Sequence, residues 1–184
     1  MGKSGQMHDP SGKRKTPWAP DAKVEAVFSP CEAYRYKLSE IWNPDGPLVL
    51  WILMNPSVAC TDHSEPAVGR TGAFSRAWDF GGQLAGNVYV YRATGRSWLL
   101  EVYDPVGLCN DVRFLWMTSQ ASQIILAFGK PPGVLQARGK PVIDLLTPDQ
   151  WLSYLRLLKN GETLEHPLYV PGIQEPQLRN GGHG

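Results

Sequence analysis

The chain has 184 residues, of which 42% are hydrophobic and 19% are charged, and its formal net charge at pH 7 is +1. This composition predicts one globular domain with its own core. The net charge is too small for overall electrostatic attraction alone to bind the protein to nucleic acid or to a membrane surface. No apolar stretch reaches the length of about 18 residues that a membrane span needs, and no signal-peptide core follows the N-terminus, so we expect a cytoplasmic protein without a membrane partner.

Both ends of the chain differ in composition from its middle. Residues 1–20 are polar, rich in Gly, Pro and Lys or Arg, and without hydrophobic periodicity, which predicts a flexible basic tail. Residues 173–184 have a similar composition and predict a flexible C-terminal tail. We therefore expect a single α/β domain over residues 21–172.

The middle of the chain alternates between strand-like and helix-like segments. Short β-prone runs at 24–28 and 34–38 predict an antiparallel pair at the edge of a sheet. Apolar runs then alternate with helix-compatible segments, which predicts a three-layer α/β sandwich around a central, mostly parallel four-stranded sheet. The four runs are 48–54, 86–91, 123–128 and 153–158, and the helix-compatible segments are 71–80, 111–121 and 134–146.

Polar residues follow the predicted strands at the edge where open α/β sheets bind ligands. Asn55, Pro56 and Ser57 come directly after the first apolar run, and His166 follows the last one. Because the carboxyl ends of parallel strands meet at one edge, we expect these side chains to converge on a site. The candidate site residues are Asn55, Ser57, Asn87, Tyr91, Arg92, Thr94, Lys130, His166 and Tyr169.

Asn55 and His166 both precede a proline. Proline restricts the residue before it to extended backbone, so each of these side chains is oriented with little entropy left to lose. Such rigidity suits a catalytic or binding group, and it equally suits an ordinary turn at the end of a strand.

Other chemistry-bearing residues give weaker signals. Cys60 and His63 have the spacing of half a metal site, but no second pair completes it, so we predict neither a metal nor another cofactor. The carboxylates of Asp62 and Glu65 could polarise water or hold a divalent ion. No dinucleotide-binding, P-loop or serine-elbow motif is present, which argues against kinase-like chemistry and standard serine hydrolysis.

Seven stretches, in family order, resemble DUF1643, a family of small bacterial and phage proteins without an established activity. They run across roughly residues 30–171 and are "YRYKLSEIW", "WILMNPSVA", "FSRAWDFGG", "NVYVYRATG", "DPVGLCND", "ILAFGK" and "HPLYVP". The chain departs from the family pattern where it reads "HSEPAVGR" in place of an acidic pair, Pro and Thr, which weakens a metal or acid role for Asp62 and Glu65. It also has Phe128 where the family favours Trp.

The order of strands and loops is more distantly similar to that of the uracil-DNA glycosylase superfamily. Asn55-Pro56, the strand carrying Asn87, and His166-Pro167 match that superfamily's three motifs. The resemblance implies that Asn55 positions an attacking water, Asn87 hydrogen-bonds a base edge, and His166 stabilises the departing base anion. The implied reaction is hydrolysis of the N-glycosidic bond of a flipped nucleotide, with nucleic acid or a nucleotide as the partner.

Two other classes of function fit the same residues. The rim can serve a binding module that holds a nucleotide or nucleic acid without turnover, because fold similarity does not transfer activity. The polar strand ends can also be plain turns in a protein-interaction domain. A shared pocket for Asn55, Asn87 and His166 would favour the first two classes over the third, and divergence of these residues would weaken both of the first two classes.

Overall fold

The computed structural model describes residues 16–57, 63–146 and 152–179. Within these ranges the chain forms a mixed α/β fold around one sheet with the strand order β1-β2-β4-β3-β5-β6-β7. The strands are β1 (Lys23–Phe28), β2 (Arg35–Ile41), β3 (Leu48–Leu53), β4 (Gly82–Asn87), β5 (Gln123–Leu126), β6 (Leu152–Tyr154) and β7 (Gln177–Leu178). The α-helices are α1 (Pro66–Ala77), α2 (Asn110–Gln120) and α3 (Gly139–Asp144), and the 3₁₀ helices span Arg96–Glu101, Gly133–Arg138 and Pro167–Tyr169.

The centre of the sheet is parallel, as the sequence predicts. Strand β3 pairs in parallel with β4 on one side and with β5 on the other, and β5 pairs in parallel with β6. The N-terminal pair, β1 and β2, is antiparallel and joins the sheet through β4. The apolar run that forms β3 is buried from Val49 onward, because both faces of a parallel sheet are covered.

Helices pack on both faces of the parallel strands. Leu50 and Ile52 of β3 lie in the same hydrophobic cluster as Phe114 of α2. The alternate residues, including Trp51, pack with Phe74 of α1 on the opposite face. This alternation of side chains along β3 places α1 and α2 in separate layers.

Strand β4 begins and ends four residues earlier than the predicted strand at 86–91. Its residues are glycine-rich and polar, "GQLAGN", so they lack the apolar pattern of a buried strand. The glycines are nevertheless needed for packing, since a Cβ on Gly86 would lie 2.8 Å from side-chain atoms of both Phe114 and Met117. The Nε2 of the buried Gln83 donates a hydrogen bond to Glu40 Oε2 at 2.7 Å. Tertiary packing therefore overrides the local pattern here.

The C-terminal part of the sheet also differs from the prediction. Strand β6 has three residues, against the predicted run of 153–158, and β7 lies inside the segment 173–184 that the sequence predicts as a tail. β7 pairs antiparallel with β6, so the end of the sheet does not coincide with the predicted boundary at residue 172. The remainder of both predicted tails, residues 1–15 and 180–184, lies outside the described residues.

None of the helices in the described ranges combines the length and the apolar character that a membrane crossing requires.

Candidate functional site

A crevice opens where the connections after β3 and β5 leave the sheet in opposite directions. The chain after β3 enters α1, which packs on one face. The chain after β5 leads to α3, whose Val142 packs on the other face. At such a switch point the carboxyl ends of the two strands leave room for a ligand between their loops.

The crevice contains a cavity of about 540 Å³, a size suited to a small molecule or a nucleobase with its sugar. Residues from the loops after all four parallel strands line it, together with the first residues of α1. The polar and aromatic lining residues are Asn55, Ser57, Glu65, Thr94, Arg96, Phe128, Lys130, His166 and Tyr169.

Six of the nine candidate residues lie in this lining, and three do not. Those in the lining are Asn55, Ser57, Thr94, Lys130, His166 and Tyr169, whereas Asn87, Tyr91 and Arg92 lie elsewhere. The Asn-Pro turn after β3 and the His-Pro turn after β6 thus open on one cavity. The convergence follows from the parallel strand order, which brings loops that are distant in sequence to one edge.

The side-chain amide of Asn55 is held in one orientation. Its Nδ2 donates to the main-chain oxygen of Ala93 at 2.7 Å and to that of Pro56 at 3.1 Å. Carbonyl oxygens only accept hydrogen bonds, so the nitrogen of the amide must face them. Asn55 Oδ1 receives no hydrogen bond from the part of the chain that the structure describes, and this acceptor is therefore available to a ligand or a water.

The ring of His166 has a defined donor side. Its Nδ1 accepts a hydrogen bond from the Leu168 main-chain N–H at 3.3 Å, at the start of the 3₁₀ helix Pro167–Tyr169. Because Nδ1 is an acceptor, the neutral imidazole carries its proton on Nε2. The Tyr169 ring lies 5.7 Å from the His166 ring, between centroids, and borders the same cavity. The His166 ring is thus oriented by Leu168 N–H and borders the cavity beside an aromatic surface.

A buried ion pair contacts the Asn-Pro-Ser turn. Arg35 of β2 and Glu65, at the start of α1, are 3% and 8% exposed, and Arg35 Nη1 donates to Glu65 Oε1. The second carboxylate oxygen, Oε2, accepts the Ser57 main-chain N–H at 3.1 Å. Glu65 therefore balances the guanidinium, fixes the turn and borders the cavity at the same time.

Sequence reasoning missed this arrangement for a physical reason. Arg35 and Glu65 are 30 positions apart, and no local pattern signals that a strand arginine will meet a helix-start glutamate. The one available signal was the Glu-Pro pair, since proline is favoured in the first turn of a helix and α1 begins at Pro66. Asp62, the carboxylate that the sequence analysis names together with Glu65, lies outside the described residues. So does Cys60, one residue of the half metal site.

Asn87, Tyr91 and Arg92 point to other parts of the fold. Asn87 ends β4 and is 1% exposed, and its main-chain oxygen accepts from Asn110 Nδ2 at 3.0 Å. The Tyr91 ring packs edge-on against Tyr34 at 5.6 Å. The buried Arg92 directs Nη1 to the main-chain oxygen of Glu32 at 2.8 Å, which ties it to the β1–β2 connection. Tyr91 and Arg92 therefore contact the β1–β2 connection, whereas the residues that follow them, Ala93 and Thr94, line the cavity.

Charge is distributed unevenly around the cavity. Arg96, Lys130 and His166 come from the loops after β4, β5 and β6, whereas Glu65 lies by the Asn-Pro-Ser turn. Arg96 Nη1 also donates to the Lys130 main-chain oxygen at 3.3 Å, which links two of these loops. Among the described residues, no three His, Cys, Asp or Glu side chains cluster in a way that could hold a metal ion.

A second, shallower recess of about 670 Å³ adjoins the cavity. The two share the loop Phe128–Lys130, and the recess adds Lys140 and Arg179 to its lining. Lys140 is paired with Asp144 at 2.7 Å and is strongly exposed, so its net electrostatic contribution is small.

A family model described as "Protein of unknown function (DUF1643)" matches residues 35–168, more than half of the chain. The chain belongs to the DUF1643 family. The matched range begins at Arg35 and contains every residue that lines the cavity except Tyr169, so the cavity belongs to the part that the DUF1643 model describes. The chain matched no curated protein. It also matched no solved structure.

Proposed function

We propose that the cavity binds a nucleotide unit and hydrolyses its N-glycosidic bond. The observation that carries the proposal is that Asn55 and His166, each fixed before a proline, line one cavity and present complementary groups to it. Asn55 offers an acceptor, and His166 offers an N–H donor. The volume of about 540 Å³ accommodates a nucleobase and its sugar.

The two groups suit the charges that develop when an N-glycosidic bond breaks. The sugar becomes cation-like and the base departs with negative charge, so donors are needed on the base side and an oriented water is needed on the sugar side. Asn55 Oδ1 accepts a hydrogen bond from the water and orients it. His166 Nε2–H, with Lys130 on the neighbouring loop, stabilises the departing base.

Base recognition falls to residues other than Asn87. Because Asn87 is buried outside the cavity, contacts to the base edge would fall to polar residues of the lining such as Ser57, Thr94 and Arg96. Phe128 and Tyr169 supply aromatic surface on which a base can stack. The adjoining recess, with Lys130 and Arg179 in its lining, favours a nucleotide that continues into a neighbouring phosphate.

The test is release of free base from defined substrates. Wild-type protein is incubated with DNA, RNA and nucleosides that carry damaged or modified bases, and released base is measured by mass spectrometry. N55A and H166A should each lower the rate about 10²–10³-fold, since each removes one interaction made in the transition state. The matched control N43A changes an exposed asparagine that lies outside the cavity lining and should keep the wild-type rate. Absence of release across the panel at high protein concentration would refute the catalytic function.

A non-catalytic nucleotide-binding module is the second candidate. It requires only that Asn55 and His166 line one cavity, and it needs neither an attacking water nor a departing base; the absence of Asn87 from the lining counts against both candidates, because each would use it to read a base edge. In that case isothermal titration calorimetry with nucleotides and short oligonucleotides should detect binding by the wild type. N55A and H166A should weaken that binding, and no free base should appear in the same samples.

A further inference from the structure

We propose that Glu65 accepts the proton of the attacking water, a role that rests on the proposed hydrolytic function. Glu65 is the one carboxylate among the described residues that line the cavity. It is also nine-tenths buried and lies at the turn that carries Asn55. The buried carboxylate therefore has both the chemistry and the location of a general base.

Hydrolysis requires a proton acceptor that Asn55 and His166 do not supply. A water that attacks the anomeric carbon must lose a proton as its new C–O bond forms. The amide of Asn55 can orient this water but is far too weak a base to take the proton. In the proposed reaction the Nε2–H of His166 stabilises the departing base. Its Nδ1 cannot take the proton, because it already accepts a hydrogen bond from Leu168 N–H.

Glu65 is held rigidly and keeps the capacity to accept. Its Oε1 accepts from Arg35 and its Oε2 accepts from Ser57 N–H at 3.1 Å. A carboxylate has about four lone-pair sites, so these two hydrogen bonds leave room for a water. Ser57 is two residues after Asn55, so one short turn connects the group that orients the water to the group that accepts its proton.

The proposed step balances as follows. The water oxygen forms a bond to the anomeric carbon while the bond from that carbon to the base nitrogen breaks, and the bonding electron pair leaves with the base. One water proton passes to Glu65, and the base anion is stabilised by His166 Nε2–H before it takes a proton from solvent. Glu65 then returns its proton to solvent. The products are a sugar with a free anomeric hydroxyl and the neutral base.

The charge distribution of the cavity agrees with this assignment. Glu65, although paired with Arg35 through Oε1, places its carboxylate at the Asn-Pro-Ser turn, where the cation-like sugar would lie. Arg96 and Lys130 place positive charge on the loops after β4 and β5, where the base would leave. The same carboxylate occupies the start of α1, so it disfavours a phosphate at that helix N-terminus.

The experiment compares E65Q with wild type on a substrate from which the wild type releases base. Glutamine keeps the shape of the side chain and an oxygen that can accept Ser57 N–H, but it cannot take a proton. E65Q should lower kcat about 10²–10⁴-fold and leave the Kd for the product base within twofold of wild type. E40Q, which alters another buried glutamate outside the cavity lining, should retain the wild-type kcat.

A second variant tests whether E65Q loses activity only because it misfolds. E65Q leaves the buried Arg35 without a counter-ion, so R35M/E65Q removes both charges and should lose kcat to a similar extent while keeping a cooperative thermal transition. Folded E65Q or R35M/E65Q with the wild-type kcat would overturn the role of Glu65 and leave the proposed function intact. Loss of base binding in parallel with kcat would assign Glu65 to the structure of the turn instead. Absence of base release by the wild type would overturn the proposed function and this inference with it.

Discussion

The substitution Asn55→Asp isolates the hydrogen bonds that hold the Asn-Pro-Ser turn. Asn55 Nδ2 donates to the main-chain oxygens of Ala93, at 2.7 Å, and Pro56, at 3.1 Å. Aspartate has nearly the same shape but carries an acceptor oxygen where the amide has its donor nitrogen. N55D therefore loses both hydrogen bonds and places a carboxylate oxygen against two carbonyl oxygens.

The expected loss follows from the number of bonds and the partial burial of the site. Each hydrogen bond contributes about 1 kcal/mol net, and leaving a buried acceptor without a donor costs about 1–3 kcal/mol. We therefore expect N55D to lower the free energy of unfolding by about 2–4 kcal/mol at neutral pH. Repulsion from the two carbonyl oxygens raises the pKa of the new carboxyl in the folded state, so the carboxyl regains one O–H donor and the deficit should shrink as the pH falls from neutral toward about 4.

Urea denaturation followed by tryptophan fluorescence, with linear extrapolation to water, measures this difference. The matched control is N43D, because Asn43 Oδ1 acts as an acceptor for the Asp45 N–H at 3.2 Å and aspartate preserves that role. N43D should stay within about 0.5 kcal/mol of the wild type. An N55D protein as stable as the wild type, or an equal loss in N43D, would refute the assigned orientation of the Asn55 amide.

Further predictions concern the fold around the site. Burial raises the pKa of Glu40, so its contribution to stability is full at low pH and declines from about pH 4 upward as the carboxyl ionises. E40Q should remove this part of the pH dependence of Tm, and an unchanged profile would contradict it. R92M should lower the free energy of unfolding by about 1.5–3 kcal/mol through loss of the bond to Glu32, yet leave nucleotide affinity unchanged in calorimetry. F74A should cost about 3–5 kcal/mol in chemical denaturation, because Phe74 is fully buried against Trp51; a loss below 1 kcal/mol would show that the cluster repacks.

The sequence was most informative where a strand is buried by apolar side chains. The run over 48–54 predicts β3 closely, because a strand covered on both faces needs nearly continuous apolar residues. The position of strand β4 could not be predicted in the same way, because β4 has no apolar run. Its glycines and Gln83 fit a crowded, hydrogen-bonded environment that only the assembled sheet creates. Helix α1 begins at Pro66, earlier than the predicted 71–80, because its first turn, Pro-Ala-Val-Gly, includes two residues of low helix propensity and carries no apolar periodicity.

The residues of the candidate site were likewise predictable from the sequence only in part. Asn55 and His166 were predicted as a pair because each precedes a proline and follows a strand-like run, Asn55 directly and His166 after seven intervening residues. Tyr91 and Arg92 lie beyond the end of β4, which is four residues earlier than predicted, and they contact Tyr34 and Glu32 instead of lining the cavity. Glu65 and Arg35 could not be paired from sequence, because their contact depends on β2 lying beside the start of α1.

Strand β7 protects the outer edge of the sheet. It pairs with β6, and the adjoining Arg179 N–H bonds to the Leu152 main-chain oxygen at 2.8 Å. A chain cut at residue 172 would leave the outward-facing backbone groups of β6 without partners, and an open edge of that kind recruits strands from other molecules. The short C-terminal strand therefore favours a monodisperse protein over self-association. A chain trimmed to the predicted domain boundary at residue 172 should aggregate when it is expressed.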